Sequence, residues 1–182
     1  LLDDGIADIE EEESQLSPGS DDLIYSGDLS LWVKAANSMK ARALLHLSKN
    51  SSVSVDEINT ALDAGIQSNE ENFQLTYVDN FSNPWFGAIS NPITQSIYIK
   101  ALGGYFVDLM VDEDFNITDP RMPLLASLEG EDSVYVGLNS WIDDTRYTAL
   151  PTIDDFNMSA KSPNIMISAA EMEFIRAEVN LS

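Results

Sequence analysis

From Trp32 to Lys49 the chain carries four basic side chains, Lys34, Lys40, Arg42 and Lys49, and no acid. Leu1 to Leu31, by contrast, holds ten acids and no Lys or Arg. Within the basic stretch Trp32, Ala35, Ala36, Met39, Ala43, Leu44 and Leu47 recur at helical spacing. Gly27 breaks the chain before it, Asp28 can cap its first turn, and Lys49 opposes the negative end of the helix dipole. The pattern predicts a long helix with one broad apolar face. The acidic stretch predicts another, with Leu2, Ile6, Ile9 and Leu16 on one side, Glu10 to Glu13 mostly on the other, and a stop at Pro18-Gly19. Opposite charge predicts that the two lie side by side.

Three more helices follow from the same signals. Ser54 and Glu57 form a capping box ahead of Ile58, Ala61, Leu62 and Ile66. Ile97 to Val111 carries Leu102, Phe106, Leu109 and Met110, with Gly103-Gly104 as a mark of close helix packing. Ser168 and Glu171 form a second capping box before Met172, Phe174, Ile175, Ala177 and Val179. Gln74 to Asn91 and Pro120 to Pro163 read as long ordered loops rich in aromatic residues, the latter with a β-prone piece at Ser133 to Val136. The fold class expected is therefore mainly α, a single partial domain over 1–182. Its helical scaffold covers about 1–70, 97–111 and 168–182, and its loops about 74–95 and 120–163. No repeat is convincing at a helical-repeat period. A pattern already running at Leu1 and another unfinished at Ser182 lead to the expectation of an internal fragment.

Composition removes whole classes of function. The 182 residues hold 31 acids against nine Lys plus Arg, a formal charge of −22. That excludes nucleic acid as the default partner and disfavours an anionic membrane surface. With no cysteine and His46 as the single histidine, disulfides, thiolate sites and multi-histidine metal centres are out. There is no Gly-x-Ser-x-Gly elbow, phosphate loop or dinucleotide fingerprint. Asp112, Asp114 and Asn116 mimic the first ligands of an EF-hand, but Ile117 stands where glycine is needed and Pro123 where the bidentate glutamate should be. A solvated acidic turn is the simpler reading. No metal and no cofactor is expected.

Asp28 to Ser48 resembles the Gly-Asp…Trp-x-Lys-x-x-Asn-Ser-x-Lys-x-Arg helix of the SusD/RagB family of outer-membrane nutrient-binding lipoproteins. Three further pieces arrive in that family's order. Asp119-Pro120-Arg121-Met122-Pro123 is similar to its Asp-Pro-Arg-x-Pro turn, and Tyr135-Val136-Gly137 to its Tyr-x-Gly. Ser168 to Asn180 resembles its Ser-x-x-Glu-x-x-Phe-Ile-x-Ala-Glu-Ala helix, with Val179 where alanine is commoner. The resemblance implies tetratricopeptide-like helix pairs with long loops grafted on them. It also implies a lipid-anchored protein on the surface of a Bacteroidota-type outer membrane. Such a protein passes an oligosaccharide or peptide nutrient to a TonB-dependent, SusC-like transporter. Members of the family are much longer than this chain.

Asp28, Trp32, Asn37, Lys40, Arg42, Asp119, Arg121 and Glu171 match the family signatures, and their chemistry reads as structural. Trp32 suits a core, Asn37 a loop backbone, Lys40 and Arg42 the acidic first helix, and Glu171 a cap. The fork of Arg121 suits loop carbonyls or a carboxylate. Ligand chemistry points instead to the loop aromatics. A Trp or Tyr face offers the apolar side of a sugar a broad platform at low ordering cost. Trp85 and Phe86 with Asn83, and Trp141 with Tyr147 beside Asn139 and Asp143, have that composition. The alternative role for each is to anchor its loop to the scaffold. The function expected is non-enzymatic capture of an oligosaccharide. A helical-repeat interaction scaffold and an acidic glycoside hydrolase are the competing readings; 31 acids produce carboxylate pairs by chance.

Overall fold

The computed structural model describes residues 1–11, 16–49, 52–90, 102–112, 117–128, 134–138, 149–151 and 159–181. In chain order the elements are α1 (Leu2–Glu10), α2 (Leu29–Leu47), α3 (Val55–Asp63), a short 3₁₀ turn (Asn69–Glu71), β1 (Phe73–Leu75) and α4 (Pro84–Ser90). There follow α5 (Gly104–Met110), β2 (Val111–Asp112), β3 (Ile117–Thr118), α6 (Met122–Leu125), β4 (Ala126–Leu128), β5 (Ala149–Pro151), β6 (Asn164–Ile167) and α7 (Ala169–Leu181). The chain is mainly α, as its periodicity predicts, and every described strand has four residues or fewer. It forms two compact units, 1–76 with 163–182, and 77–162.

The first unit is built on a tetratricopeptide-like pair, α2 and α3, against which α7 packs. Local caps start each helix where expected. Asp28 accepts from Ser30 N at 3.0 Å and Leu31 N at 3.4 Å, Ser54 and Glu57 close a full capping box, and Ser168 Oγ accepts from Glu171 N at 3.1 Å. Ile58, Ala61, Leu62 and Ile66 are buried together with Ala41, Met172, Ile175 and Val179. Antiparallel β1 and β6 close one side, and Ile167 joins the core.

The buried face of α2 differs from the expected one. It consists of Ala35, Ser38 and Ala41, while Met39 and Leu47 are 41% and 53% exposed. The cause is close approach: a Cβ on Gly65, just beyond α3, would lie 2.7 Å from Ser38 Oγ. Only small residues fit such a seam. On α7, likewise, Phe174 faces solvent. The first helix ends at Glu10 and Leu16 lies outside it, exposed. Carboxylates at that end reinforce the negative pole of the helix and weaken any extension. Its proximity to α2 is as predicted, with Lys40 paired to Asp3.

The second unit holds a smaller core of Val107, Met122 and Ala126, with Leu102, Met110, Val111 and Tyr135 packed on it. Here α5 begins at Gly104, with Gly103 extended as its cap, so the two glycines are not both inside a helix; residues 97–101 lie outside the described ones. Phe106 and Leu109 are exposed and Val107 is the anchor. The glycine pair does mark a close approach, but to a loop. Leu138 N donates to Leu102 O and Gly104 N to Leu138 O, and a Cβ on Gly137 would lie 2.6 Å from Gly104 Cα.

The expected loops also contain elements. Gln74 to Asn91 includes part of β1 and all of α4, and Pro120 to Pro163 includes α6, β4 and β5. Among the described residues strand pairing falls on Ala126–Leu128 with Ala149–Pro151, while Val134 to Val136 form no strand. Asp112 ends β2 opposite Ile117 in β3; Asp114 and Asn116 lie outside the described residues. No described helix is long and apolar enough to cross a membrane, and no described cluster of three His, Asp or Glu could hold a metal ion.

Candidate functional site

In the second unit the chain makes a tight reversal at Val78-Asp79-Asn80-Phe81, and the two outer residues exchange backbone hydrogen bonds of 3.1 and 2.9 Å. Asp and Asn are turn formers because their short polar side chains tolerate tight backbone geometry. The buried Tyr77 ring sits 5.3 Å from that of Phe81, which is half exposed. Immediately afterwards Pro84 opens α4, the first-turn position where its missing N–H costs nothing.

Asn83 fixes this short helix. Its Oδ1 accepts from Trp85 N at 2.8 Å, its Nδ2 donates to Ser162 O at 2.8 Å, and its own N–H donates to Ala160 O at 2.9 Å. Asn83 is 4% exposed, so its polar atoms serve the fold rather than face solvent. The next residue but one is the opposite case. Trp85 is 68% exposed, its N–H held by the anchored Asn83, and Phe86 beside it is half-buried. A wide aromatic face on a rigid stage is what an apolar sugar face can stack on. Asn83, expected beside the aromatic pair as a ligand group, caps α4 here, and the Phe81 ring in the preceding turn is half exposed. Trp141, Tyr147, Asn139 and Asp143 lie outside the described residues.

The signature residues sit elsewhere and form structural bonds. Trp32 Nε1 donates to Asp22 Oδ2 at 2.8 Å, and its ring meets those of Tyr25 and Phe73 edge-on at 5.5 Å each. Burial pushes the Asp22 carboxyl up, yet bonds from Trp32, Ile24 and Gly27 outweigh it and hold the group below its usual range. Tyr25 is pushed up to about 12, first by burial and then by the charges of Glu71 and Asp22. Asn37 donates to Val33 O of its own helix, not to a loop. Arg42 grips Glu171 with Nε at 2.6 Å and Nη2 at 2.7 Å, and also donates to Met166 O. Its partner is therefore α7 rather than the acidic first helix, and both Glu171 oxygens accept from it. Arg121 grips Asp119 in the same bidentate way and holds that carboxyl down at about 2. Lys34 pairs with Glu71.

The first unit also bears an apolar groove of about 520 Å³ between α1 and α2, walled by Leu2, Ile9, Pro18, Leu29, Trp32 and Ala36. Asp21 and Asp22 stand at its polar side, and Asp22 is engaged by Trp32.

Comparison with known proteins turns this geometry into a family. The structure superposes on a SusD homologue from Bacteroides thetaiotaomicron with a TM-score of 0.72 at 18% identity, covering 99% of this chain and 37% of that one. A SusD homologue from Bacteroides ovatus gives 0.68 at 21% identity, covering 99% and 38%. A chitin-binding protein gives 0.70 at 20% identity, covering 99% and 42%. The chain thus spans well under half the length of these relatives. A search of curated proteins finds no significant match. The SusD-like family model described as starch-binding and associating with the outer membrane matches residues 1–181, so the chain belongs to the SusD-like family.

Proposed function

We propose that this chain is part of a surface-exposed binding protein that captures an oligosaccharide and delivers it to a TonB-dependent outer-membrane transporter. The observation that carries the reading is the exposed Trp85 indole on the stage pinned by Asn83. The family description as starch-binding and a chitin-binding relative of the same fold support it. In this reading the sugar stacks on Trp85, with Phe81 extending the apolar surface, and nothing is cleaved. In the same reading the protein is lipid-anchored at the cell surface and hands its ligand to a SusC-like partner, in keeping with a family described as associating with the outer membrane.

Titration of intrinsic tryptophan fluorescence with malto- and chito-oligosaccharides tests the proposal. A saturable change without hydrolysis products, lost in Trp85→Ala, is expected. Products in the mixture would favour a glycosidase. An undiminished response in the variant would remove Trp85 from the site, and no response at all would favour a scaffold without a small ligand.

A further inference from the structure

The same residue that caps the Trp85 helix, Asn83, also anchors the backbone on either side of a cation. Ala160 O and Ser162 O both accept from Asn83, so Lys161 is held between two anchored carbonyls next to α4. That cation is not free for a ligand: Lys161 Nζ lies 2.7 Å from Asp79 Oδ1, in the turn preceding the stage. Arg121, the other described cation of this unit, is gripped by Asp119. Over 77–162 the sequence holds thirteen acids and four basic residues, a net charge of −9. Potentials of one sign over a surface repel ligands of that sign and screen away with salt.

Building on the Trp85 reading, we infer that the site is selective for ligand charge. It takes uncharged glycans and rejects uronate-bearing or sulfated ones, and Asp79 enforces the choice by neutralising Lys161. An anionic sugar reaching Trp85 finds a lysine already paired and approaches a unit whose net charge is of its own sign. A neutral sugar pays neither penalty, because stacking on an aromatic face needs no counter-charge.

The test compares the chain and Asp79→Asn on arrays of uncharged malto-, cello- and chito-hexaose and of oligogalacturonate and hyaluronan hexamers, at low and high NaCl. Asparagine keeps the turn-forming shape while releasing Lys161. Binding to an uncharged oligomer should exceed binding to any anionic one by about tenfold or more at low salt. The gap should narrow with added NaCl and in Asp79→Asn. Anionic oligomers binding as tightly at low salt would overturn the inference and leave the Trp85 platform standing. So would a gap indifferent to both salt and the substitution. Binding of neither class would overturn the platform and the inference together.

Discussion

Ser38 Oγ accepts a hydrogen bond from Ile66 N at 2.8 Å and donates one to Lys34 O at 2.9 Å, joining the middle of α2 to the segment just beyond α3. Ser38 is wholly buried, and Gly65 lies so close that a methyl group there would press on the hydroxyl. The pair of helices thus carries a buried polar contact beside the apolar one that Ala41, Leu44 and Leu45 make with Ile58 and Leu62.

Removing that hydroxyl strands a buried backbone N–H. Ser38→Ala should destabilise the fold by about 1–3 kcal/mol. Gly65→Ala should also destabilise it, because its new methyl meets Ala61 O and Leu62 O at 3.2 and 3.3 Å as well as Ser38. Urea denaturation reads both as lower midpoints at unchanged slope. An unshifted midpoint for Ser38→Ala would contradict the role assigned to the hydroxyl.

The Arg42–Glu171 fork ties α2 to α7 across 129 positions of sequence. Both side chains are about one third exposed, so solvent screens the pair. A double-mutant cycle on Arg42→Ala and Glu171→Gln should give a coupling of about 1 kcal/mol. Strictly additive effects would mean that the bidentate geometry adds nothing beyond its two ends.

Titration links two groups of the first unit to stability, with opposite signs. Glu71 is held below its ordinary 4.5, first by the hydrogen bond from Lys34 and then by that from Gln67 N–H. A depressed carboxyl contributes stability above its unfolded value, and that contribution is lost as the pH falls through the folded one. Stability should therefore decline as pH drops below 4.5, and Glu71→Gln should decline less.

Tyr25 shows the converse. Its hydroxyl donates to Glu71 O at 3.0 Å and titrates near 12 instead of 10. A raised phenol contributes stability that is complete below 10 and lost as pH rises toward 12. Urea midpoints across that window should fall for the native chain and fall less for Tyr25→Phe. Parallel curves would disprove the link.

Trp85 and Asn83 should separate binding from folding. Trp85→Ala should cut oligosaccharide affinity about tenfold, since the lost stacking is worth about 1.4 kcal/mol. Stability should stay within about 0.5 kcal/mol, as for other exposed positions. Asn83→Ala should cost about 2 kcal/mol by removing a buried cap and the bond to Ser162. Calorimetric titration beside thermal unfolding distinguishes the two patterns.

What was legible in the sequence was whatever is settled within three or four residues. Asp28, Ser54 with Glu57, and Ser168 cap their helices because the groups they satisfy lie in the same turn. Asp119 and Arg121 meet because a two-residue turn brings them together. The inward face of α3 was legible too, since Ile58, Ala61 and Leu62 have no competing apolar side. In α2, apolar residues are spread widely around the helix, so periodicity could not choose the buried face. Gly65 chose Ser38 by coming too close for anything larger. The partner of Arg42, the helix hidden in a segment that read as loop, and the engagement of Asn83 with Ala160 and Ser162 were likewise decided only in three dimensions. Local hydrogen bonding is written in neighbouring residues. Which distant carbonyl or carboxylate comes within 3 Å depends on how the packed elements exclude one another, and that arises only when the chain is folded.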